Sequence, residues 1–378
     1  MRAIVNGRFV LPDRVEEGRC LVFDERIQEL CDRPGEGVEI IDAQGMYVIP
    51  GLFDIHIHGY LGQDASDGDY EGLKTIAEGI AKNGVTAFLP TTMTVSKAEL
   101  RKAFAQIARL VENSAAPDWA GARALGINAE GPFINPSKKG AQAGENILPG
   151  DAAFYREFAQ IMQATVAPEM PGNLDCVRAL AQAGVLVSVG HTAATFEEAC
   201  AAFDAGARHV THLFNAMTPL GHRAPGVVGA ALSDERVSCE LIADTFHIHS
   251  GLFPILRRVK GEKLVLITDC TRAGGLEDGE YTLGGQPIFV KGIECRLADG
   301  TIAGSVLKLN RAVYNMMRFG GAKIWEAVNM ASLNPAKIHA IDDIGALLPG
   351  YRADIALADD ELFVHQTILA GRTIYKER

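Results

Sequence analysis

The sequence predicts an α/β protein: a (β/α)8 TIM-like barrel with a small β-sandwich domain that is built from both chain termini. Two observations support this prediction. Across residues 50–344, apolar strand-like segments alternate with helical ones, and eight such units indicate a closed parallel sheet. Residues 1–49 and 345–378 instead contain short β-like segments separated by turn residues, and we expect these two ends to form the second domain together.

The β-like segments at each end of the chain are too few to make a stable sheet alone. In the first 49 residues, turn signals at Asn6-Gly7, Pro34-Gly35 and Gln44-Gly45 separate these segments. The predicted terminal strands cover residues 3–5, 19–23, 27–30, 38–41, 353–358, 363–364, 367–369 and 371–375. Because both ends of the chain contain short strand-like segments separated by turn residues, we predict that both contribute strands to one small β domain.

The first barrel strand is predicted in the segment 48–58. Pro50-Gly51 begins it, and apolar residues then alternate with Asp54, His56 and His58. Because strand side chains alternate between faces, these three polar groups point the same way. Two such imidazoles can hold one cation, and Asp54 is expected to orient a ring from behind. A His-x-His pair alone is more often two half-exposed strand histidines, so the metal interpretation depends on the other strands.

Seven further strands complete the predicted barrel. They cover residues 85–91, 125–130, 165–169, 186–191, 209–212, 240–244 and 264–269. Helical segments between most of them cover residues 70–82, 97–112, 174–183 and 196–205. After the last strand, the predicted elements are two hairpin-forming segments at 280–290 and 294–301 and helices at 305–319, 323–331 and 335–341.

Nearly every predicted barrel strand ends on an ionisable residue. These residues are His56 and His58, Glu130, Glu169, His191, His212, Asp244 with His247, and Asp269. In a barrel they would surround one opening, at the face where the active sites of this architecture lie. Four of these imidazoles with two or three of the carboxylates suit Zn²⁺, Fe²⁺ or Mn²⁺ rather than Ca²⁺. The pattern therefore favours a metal-dependent enzyme.

The composition argues against several other classes of protein. The chain has 378 residues, and its net charge of −11 argues against nucleic acid or an anionic membrane surface as a partner. It contains no apolar run of roughly 18 residues, and its N-terminus lacks a signal-peptide core. The seven cysteines are scattered without a Cys-x-x-Cys pair, which is typical of reduced thiols. We therefore expect a cytoplasmic protein that acts on a small molecule.

A set of motifs lies at residues 50–58, 129–136, 138–142, 190–192, 211–217, 268–269, 279–285 and 299–305. The first of them is similar to the opening signature of the amidohydrolase superfamily. The others resemble, within that superfamily, the N-acetylglucosamine-6-phosphate deacetylase family. They follow the order of the family over most of the chain. This ordered set is specific, whereas His-x-His alone is not.

The resemblance implies one or two divalent metal ions per chain, with Zn²⁺ expected and Fe²⁺ or Mn²⁺ as alternatives. The implied ligands are Glu130, His191, His212, His56, His58 and Asp269. The first three would form the main site with an open position for water, and the last three would hold a second ion. Many amidohydrolases bridge two ions with a carboxylated lysine on the fourth strand. The predicted fourth strand here contains no lysine, so Glu130 would take that role.

The reaction that the resemblance implies is the deacetylation of N-acetylglucosamine-6-phosphate to glucosamine-6-phosphate and acetate by metal-activated water. Asp269 would act as the general base and then as the general acid. The implied substrate-binding residues are Ala141, Gln142, Asn215, Ala216, Arg223, His247, Ile302, Ala303 and Gly304. Arg223 would hold the phosphate. The resemblance also implies a homodimer in which the loop of Arg223 reaches across the interface.

Two positions depart from the pattern of the family. Gln142 stands where some relatives carry histidine, and Ala193 stands where relatives often carry Asp or Asn. A glutamine amide donates a hydrogen bond but carries no charge, so the polarisation of a substrate carbonyl from that side is expected to be weaker.

Three other functions stay open from the sequence. N-acetylgalactosamine-6-phosphate, the galacto epimer, differs from the expected substrate in the orientation of one hydroxyl. Another amidohydrolase activity, on a cyclic amide or a nucleobase, is disfavoured by the lysine-free fourth strand and by the turn 130–133. A catalytically inactive barrel with a binding or assembly role would have lost ligands, and all six implied ligands are present.

Overall fold

The computed structural model describes residues 1–377, and eight parallel strands in that range form a barrel. These strands are Leu52–Ile57, Val85–Thr92, Ile127–Glu130, Ile161–Val166, Leu186–Val189, His209–Val210, Ser238–Ile242 and Leu264–Ile267. Each pairs with the next in chain order, and Arg123–Ala124 adds a short pairing to the second strand. The first and last strands meet where the Asp269 N–H donates to the His56 carbonyl oxygen at 2.9 Å. The predicted (β/α)8 TIM-like barrel is confirmed.

Helices cover the outside of the barrel between the strands. The α-helices are Tyr70–Ala81, Lys97–Asn113, Ala152–Arg156, Asn173–Gln182, Phe196–Ala205, Gly226–Ser233, Phe253–Lys260, Leu309–Gly320, Ile324–Met330 and Leu333–Ile338. Short 3-10 helices lie at Ala65–Asp67, Pro136–Lys138, Gly144–Asn146, Ser250–Leu252 and Gly261–Lys263. Ser96 and Thr195 each begin a helix with a capping box, which satisfies backbone N–H groups of the first turn. None of the helices within residues 1–377 combines the length and the apolarity needed to cross a bilayer.

Two elements are shifted from their predicted positions. The fourth barrel strand is Ile161–Val166 and begins four residues before the predicted start. It ends ahead of Pro168, which has no N–H and cannot continue the hydrogen-bond ladder. The helix predicted from residue 305 begins at Leu309. Ser305 is not helical because its N–H and its hydroxyl donate to backbone oxygens at the end of the eighth strand.

The two ends of the chain form two further sheets. The first has the strand order Ile27–Cys31, Cys20–Phe23, Arg2–Val5 and Glu39–Asp42, and the second has the order Arg372–Lys376, Val364–Leu369, Ile355–Ala358, Tyr47–Pro50, Arg8–Val10 and Val15–Glu16. Both sheets contribute to one apolar core, in which Phe23 from the first packs with Phe9 and Ile355 from the second. Tyr47–Pro50 pairs antiparallel with Ile355–Ala358. The small β-sandwich built from both termini is confirmed, while its boundaries at 49/50 and 344/345 stay predictions.

A third, antiparallel sheet covers one side of the barrel opening. Its strands are Gly279–Leu283, Gln286–Lys291 and Glu294–Leu297, and a separate short hairpin of Gly59–Tyr60 with Gln63–Asp64 follows the first barrel strand. Leu283 and Ile288 of this sheet pack with Met93 and Ala141 from loops at the strand ends. The sheet thereby closes one side of the opening with apolar side chains.

Candidate active site

A cavity of about 360 Å³ opens at the carboxyl ends of the barrel strands. This volume lies within the usual range for sites that bind small molecules. The predicted site residues in its wall are His58, Glu130, Ala141, Gln142, His191, His212, Asn215, Ala216, His247, Asp269, Ile302 and Gly304. Met93 and Leu283 add apolar surface to the wall. The structure therefore brings together most of the side chains that the sequence singled out.

Three predicted site residues lie outside this wall. His56 is fully buried behind it, with its Nε2 atom 3.4 Å from His58 Nε2. Ala303 is buried in the apolar cluster beside the three-stranded sheet. Arg223 lies on an exposed loop, and within residues 1–377 it does not contribute to the cavity wall.

Glu130 ends the third strand and lies at the centre of the histidine cluster. Its Oε1 atom is 3.2 Å from His191 Nε2 and 3.0 Å from His212 Nε2. The same oxygen is 3.4 Å from His56 Nε2, and Oε2 is 3.2 Å from His58 Nε2. Each pair of histidines forms with Glu130 a group whose ligand atoms lie within 4.8 Å of one another. One carboxylate is thus shared by two candidate metal positions.

Hydrogen bonds on the far side of three rings show which nitrogen carries the proton. His56 Nδ1 lies 2.9 Å from Glu240 Oε2, while His58 Nδ1 and His191 Nδ1 lie 3.1 and 2.8 Å from backbone carbonyl oxygens. Because these oxygens are acceptors, each Nδ1 atom carries the hydrogen. In a neutral ring the Nε2 atom then presents a lone pair. Three rings therefore direct lone pairs toward the carboxylates of the cluster.

The short contacts within this cluster, which also includes the His212 ring, require a positive charge among the groups. His191 Nε2 and His212 Nε2 are 3.1 Å apart, and His58 Nε2 is 3.2 Å from Asp269 Oδ1. Such groups repel one another unless extra protons or a cation lie between them. Burial alone would lower the pKa of His58, but its contacts with Asp269 and Glu130 outweigh burial and raise that pKa well above its ordinary value. The donor set therefore fits a divalent metal ion.

Asp269 follows the eighth strand and, like Glu130, lies in the cavity wall next to His58. Its Oδ1 atom is 3.2 Å from His58 Nε2 and 3.6 Å from His56 Nε2. Its φ angle is +50°, and Gly304 packs so closely that an added Cβ would lie 3.0 Å from the Asp269 carbonyl oxygen. Burial alone would raise the pKa of Asp269, but the contact with His58 and the charge of His56 outweigh burial and lower it. The carboxylate is therefore ionised at neutral pH.

Gln142 contacts Glu130 directly. Its Nε2 donates to Glu130 Oε2 at 2.6 Å, and its Oε1 accepts from the Thr94 N–H at 2.5 Å. A primary amide nitrogen carries two hydrogens, so one N–H stays available toward the cavity. Gln142 therefore positions the central carboxylate, a contact that the motif did not indicate.

Glu240 supports the histidines from behind and is a residue that the sequence analysis missed. It is fully buried in the seventh strand and interacts with His56 Nδ1, His209 Nε2, Gln163 Nε2 and the His212 N–H at 2.8–3.1 Å. Burial would raise the pKa of Glu240, but these partners outweigh burial and lower it. A glutamate within an otherwise apolar strand was the available signal, because a buried charge needs partners.

The prediction that Asp54 orients a histidine ring is wrong. Asp54 Oδ2 accepts from Thr268 Oγ1 at 2.7 Å, and Oδ1 accepts from the His56 N–H at 3.3 Å. Asp54 therefore ties the first strand to the eighth, while Glu240 holds the ring. Burial raises the pKa of Asp54 to about 7.

Two other carboxylates from strand ends hold loops instead of facing the cavity. Glu169 accepts from Asn135 Nδ2 at 2.8 Å and from the Ala193 N–H at 2.6 Å. The contact at Ala193 uses the backbone, so it does not depend on the side chain at that position. Asp244 Oδ2 lies 2.6 Å from His247 Nδ1, which leaves the other nitrogen of that ring free for a ligand.

Lys138 is a cavity residue to which the sequence analysis gave no role. It is partly buried, and its Nζ lies 3.4 Å from the Met217 carbonyl oxygen, beside the wall residues Asn215 and Ala216. Within residues 1–377, it is the one lysine or arginine in the cavity wall. The sequence shows Lys138 and Lys139 together and does not indicate which one faces inward.

The chain is similar to known proteins along almost its whole length. The sequence profile of the Amidohydrolase family matches residues 47–374. The N-acetylglucosamine-6-phosphate deacetylase of Lysinibacillus sphaericus is 39% identical over 343 residues, which cover 89% of this chain and 88% of that protein. The N-acetylgalactosamine-6-phosphate deacetylase of Escherichia coli O157:H7 is 38% identical over 341 residues, covering 89% of each chain.

Among solved structures, the chain is similar to a variant of the Mycobacterium smegmatis N-acetyl-D-glucosamine-6-phosphate deacetylase in complex with N-acetyl-D-glucosamine-6-phosphate. The TM-score is 0.92 at 27% identity, and the match covers 99% of both chains. The similarity therefore includes the terminal domain as well as the barrel.

Proposed function

The chain belongs to the amidohydrolase family, and we propose that it hydrolyses the acetamide of N-acetylglucosamine-6-phosphate to glucosamine-6-phosphate and acetate. The observation that carries this proposal is Glu130 between two pairs of histidines, with Asp269 beside them at the cavity. The arrangement supplies two adjacent cation positions with a carboxylate base beside them, and a bound cation with a nearby base is what hydrolysis of an amide by activated water requires. The similarity to deacetylases supports the substrate.

We assign the metal to the two groups that share Glu130. His191 and His212 would hold one ion with Glu130, and the two histidines of the first strand would hold a second, to which Asp269 is close enough to add a ligand. Imidazole and carboxylate donors suit Zn²⁺, with Fe²⁺ and Mn²⁺ as alternatives. When bound, such an ion polarises the amide carbonyl and lowers the pKa of the attacking water.

Asp269 carries the protons of the reaction. Its ionised carboxylate takes a proton from the water as the water oxygen bonds to the carbonyl carbon. The same proton passes to the sugar nitrogen as the C–N bond breaks, so the amine leaves as a neutral group. The second proton of the water stays on the new carboxyl group and is lost to solvent as acetate forms. Gln142 is placed to donate its free N–H to the carbonyl oxygen as negative charge develops there.

The phosphate of the substrate requires a local positive charge, because the chain as a whole carries −11. Lys138 lies in the cavity wall, and His247 lies there with its ring oriented by Asp244, so both can meet an anion from within the chain. Arg223 lies on an exposed loop outside the wall. We assign Arg223 to the cavity of a second copy in a homodimer, where its planar guanidinium suits a phosphate. The free cysteines support a cytoplasmic location.

Turnover of four sugars by metal-loaded protein tests the substrate. The panel contains N-acetylglucosamine-6-phosphate, its galacto epimer and the two unphosphorylated sugars, with acetate release as the readout. We expect the highest kcat/KM for N-acetylglucosamine-6-phosphate and a loss of roughly tenfold or more without the phosphate. Equal turnover with and without phosphate would overturn the assignment. A higher kcat/KM for the galacto epimer would mean that N-acetylgalactosamine-6-phosphate is the substrate.

Mixing of two variants tests whether Arg223 acts across an interface. Arg223→Ala retains the chemistry of its own cavity, and Asp269→Asn retains Arg223. If Arg223 acts in the cavity of its partner, co-expressed mixed dimers regain activity at low substrate concentration that neither variant has alone. Lys138→Met mixed with Asp269→Asn is the matched control and should show no recovery, because Lys138 acts in its own chain. If neither mixture of variants regains activity, Arg223 acts within its own chain and not in the cavity of its partner.

A further inference from the structure

Two thiols of the terminal β domain face each other across neighbouring strands. Cys20, at the start of Cys20–Phe23, is in register with Cys31, at the end of Ile27–Cys31. Their Sγ atoms are 3.3 Å apart, and either thiol can donate to the other. Opposed residues of an antiparallel pair have Cα atoms roughly 4.5–5.5 Å apart, which lies inside the range of roughly 4.4–6.8 Å that a disulfide spans. A bond between the two sulfurs therefore requires side-chain movement alone.

We propose that Cys20 and Cys31 form a dithiol site that reacts with small disulfides and closes to an intrachain disulfide. The pair lies on the outer face of the four-stranded sheet, where Cys20 packs with Ala3 and Val22 and away from the core shared with the other sheet. It is separate from the cavity of the barrel. The bond would link the edge strand of this sheet to its neighbour.

The two thiols differ in exposure, which sets the order of their reactions. Cys31 is partly exposed, whereas Cys20 is 2% exposed. Burial, followed by the hydrogen bond with Cys31, raises the pKa of Cys20 to about 11. Cys31 is therefore the thiol that meets the oxidant, and Cys20 is the thiol that resolves the product.

With oxidised glutathione as the oxidant, the reaction proceeds in two exchanges. The Cys31 thiolate attacks one sulfur of glutathione disulfide, and the first glutathione leaves as its thiolate. Cys20 then attacks Cys31 Sγ, which breaks the mixed disulfide and expels the second glutathione. The two protein thiols lose two electrons and two protons, and both are recovered in two molecules of reduced glutathione.

Peptide mapping of the full chain after incubation with oxidised glutathione at pH 8 tests the proposal. Unreacted thiols are alkylated, and trypsin, which cleaves after Arg26 between the two cysteines, separates the two strands. We expect a tryptic peptide containing Cys20 to be joined to the one containing Cys31, and two of the seven thiols to be lost. The bond should disappear on treatment with dithiothreitol.

Three single variants supply the controls. Cys200 is also partly exposed but faces no other thiol within residues 1–377, so C200S should keep the cross-link. C31S should lose the cross-link and all reaction at Cys20, whereas C20S should stop at a mixed disulfide on Cys31. Retention of all seven thiols in the native chain, or a stable mixed disulfide on Cys31 beside a free Cys20, would overturn the proposal. Because the native chain is mapped directly, poor folding of a variant does not obscure the result.

Discussion

Replacing Asp269 by asparagine removes the proposed base and leaves the shape of the cavity almost unchanged. In the native chain the carboxylate lies 3.2 Å from His58 Nε2, and its lowered pKa keeps it ionised at neutral pH. An amide in the same place cannot accept the proton of the attacking water. Asp269→Asn is therefore expected to impair the chemical step and not the binding of the sugar phosphate.

The expected loss in kcat is roughly 10²–10⁴, the range for removal of a positioned proton-transfer group. At 1.36 kcal/mol per factor of ten, this corresponds to a rise in the activation free energy of about 2.7–5.4 kcal/mol. KM should change little, because Lys138 and His247 keep their places in the cavity wall. At least one metal ion per chain should stay bound, because the group of Glu130, His191 and His212 does not include Asp269.

Steady-state kinetics, which give kcat and KM, and metal analysis on the same preparation test this prediction. Asp54→Asn is the matched control, because Asp54 is a fully buried aspartate of the barrel that does not line the cavity. The control should lower the melting temperature, since Asp54 bonds to Thr268, and should largely spare kcat. A loss of tenfold or less in Asp269→Asn, with metal bound, would show that another group transfers the proton.

Three further predictions follow from the buried polar groups. Glu130→Gln should lose both metal ions, because both candidate groups share Glu130, whereas His56→Ala should keep one ion per chain; metal analysis measures both. Glu240→Gln should lower stability by about 3–5 kcal/mol, seen in chemical denaturation, because its amide nitrogen cannot accept the hydrogen bonds that the carboxylate accepts. His339 is partly exposed as a residue, but its Nε2 atom is buried without a hydrogen-bond partner, and this burial lowers the pKa of His339 to about 3. The native chain therefore loses stability as the pH falls below 6.5, where the unfolded chain takes up the proton, and relative to the native chain His339→Leu should gain up to about 2 kcal/mol between pH 7.5 and pH 5.

Different results would contradict each of these expectations. Two ions bound to Glu130→Gln would show that the histidines hold the metal without the carboxylate. An unchanged denaturation midpoint in Glu240→Gln would mean that its hydrogen bonds add no net stability. A stability difference between His339→Leu and the native chain that does not vary with pH would show that His339 is not held neutral by burial.

The barrel and the groups at its opening could be predicted because they depend on local sequence. Side chains alternate between the two faces of a strand, so His56 and His58 lie on the same face. The carboxyl ends of all barrel strands meet at one opening, and this does not depend on where the helices begin or end. The position of Glu130 before a glycine and a proline likewise marks the end of a strand. These features require no knowledge of which strands are neighbours across the barrel.

The contacts that the sequence did not indicate depend on distant partners. Glu240 meets His56 because the interior of a closed barrel brings the first and seventh strands together, and no spacing in the chain encodes that meeting. Cys20 and Cys31 face each other only through the register of their strands. The place where Arg223 acts depends on a surface outside its own chain. Local sequence patterns therefore predict which side chains face the cavity, whereas the buried partners of those side chains depend on the packing of distant segments.

The pairing of Tyr47–Pro50 with Ile355–Ala358 has a consequence for the synthesis of the chain. The first strand leaves the ribosome early, and its partner is among the last segments to follow. At roughly 5–20 residues per second, one edge of Tyr47–Pro50 stays unpaired for on the order of 15–60 s. An unpaired strand edge is a template on which other chains can add. The nascent chain therefore exposes an open strand edge, on which other chains can add, during most of its translation, and only the finished fold covers that edge.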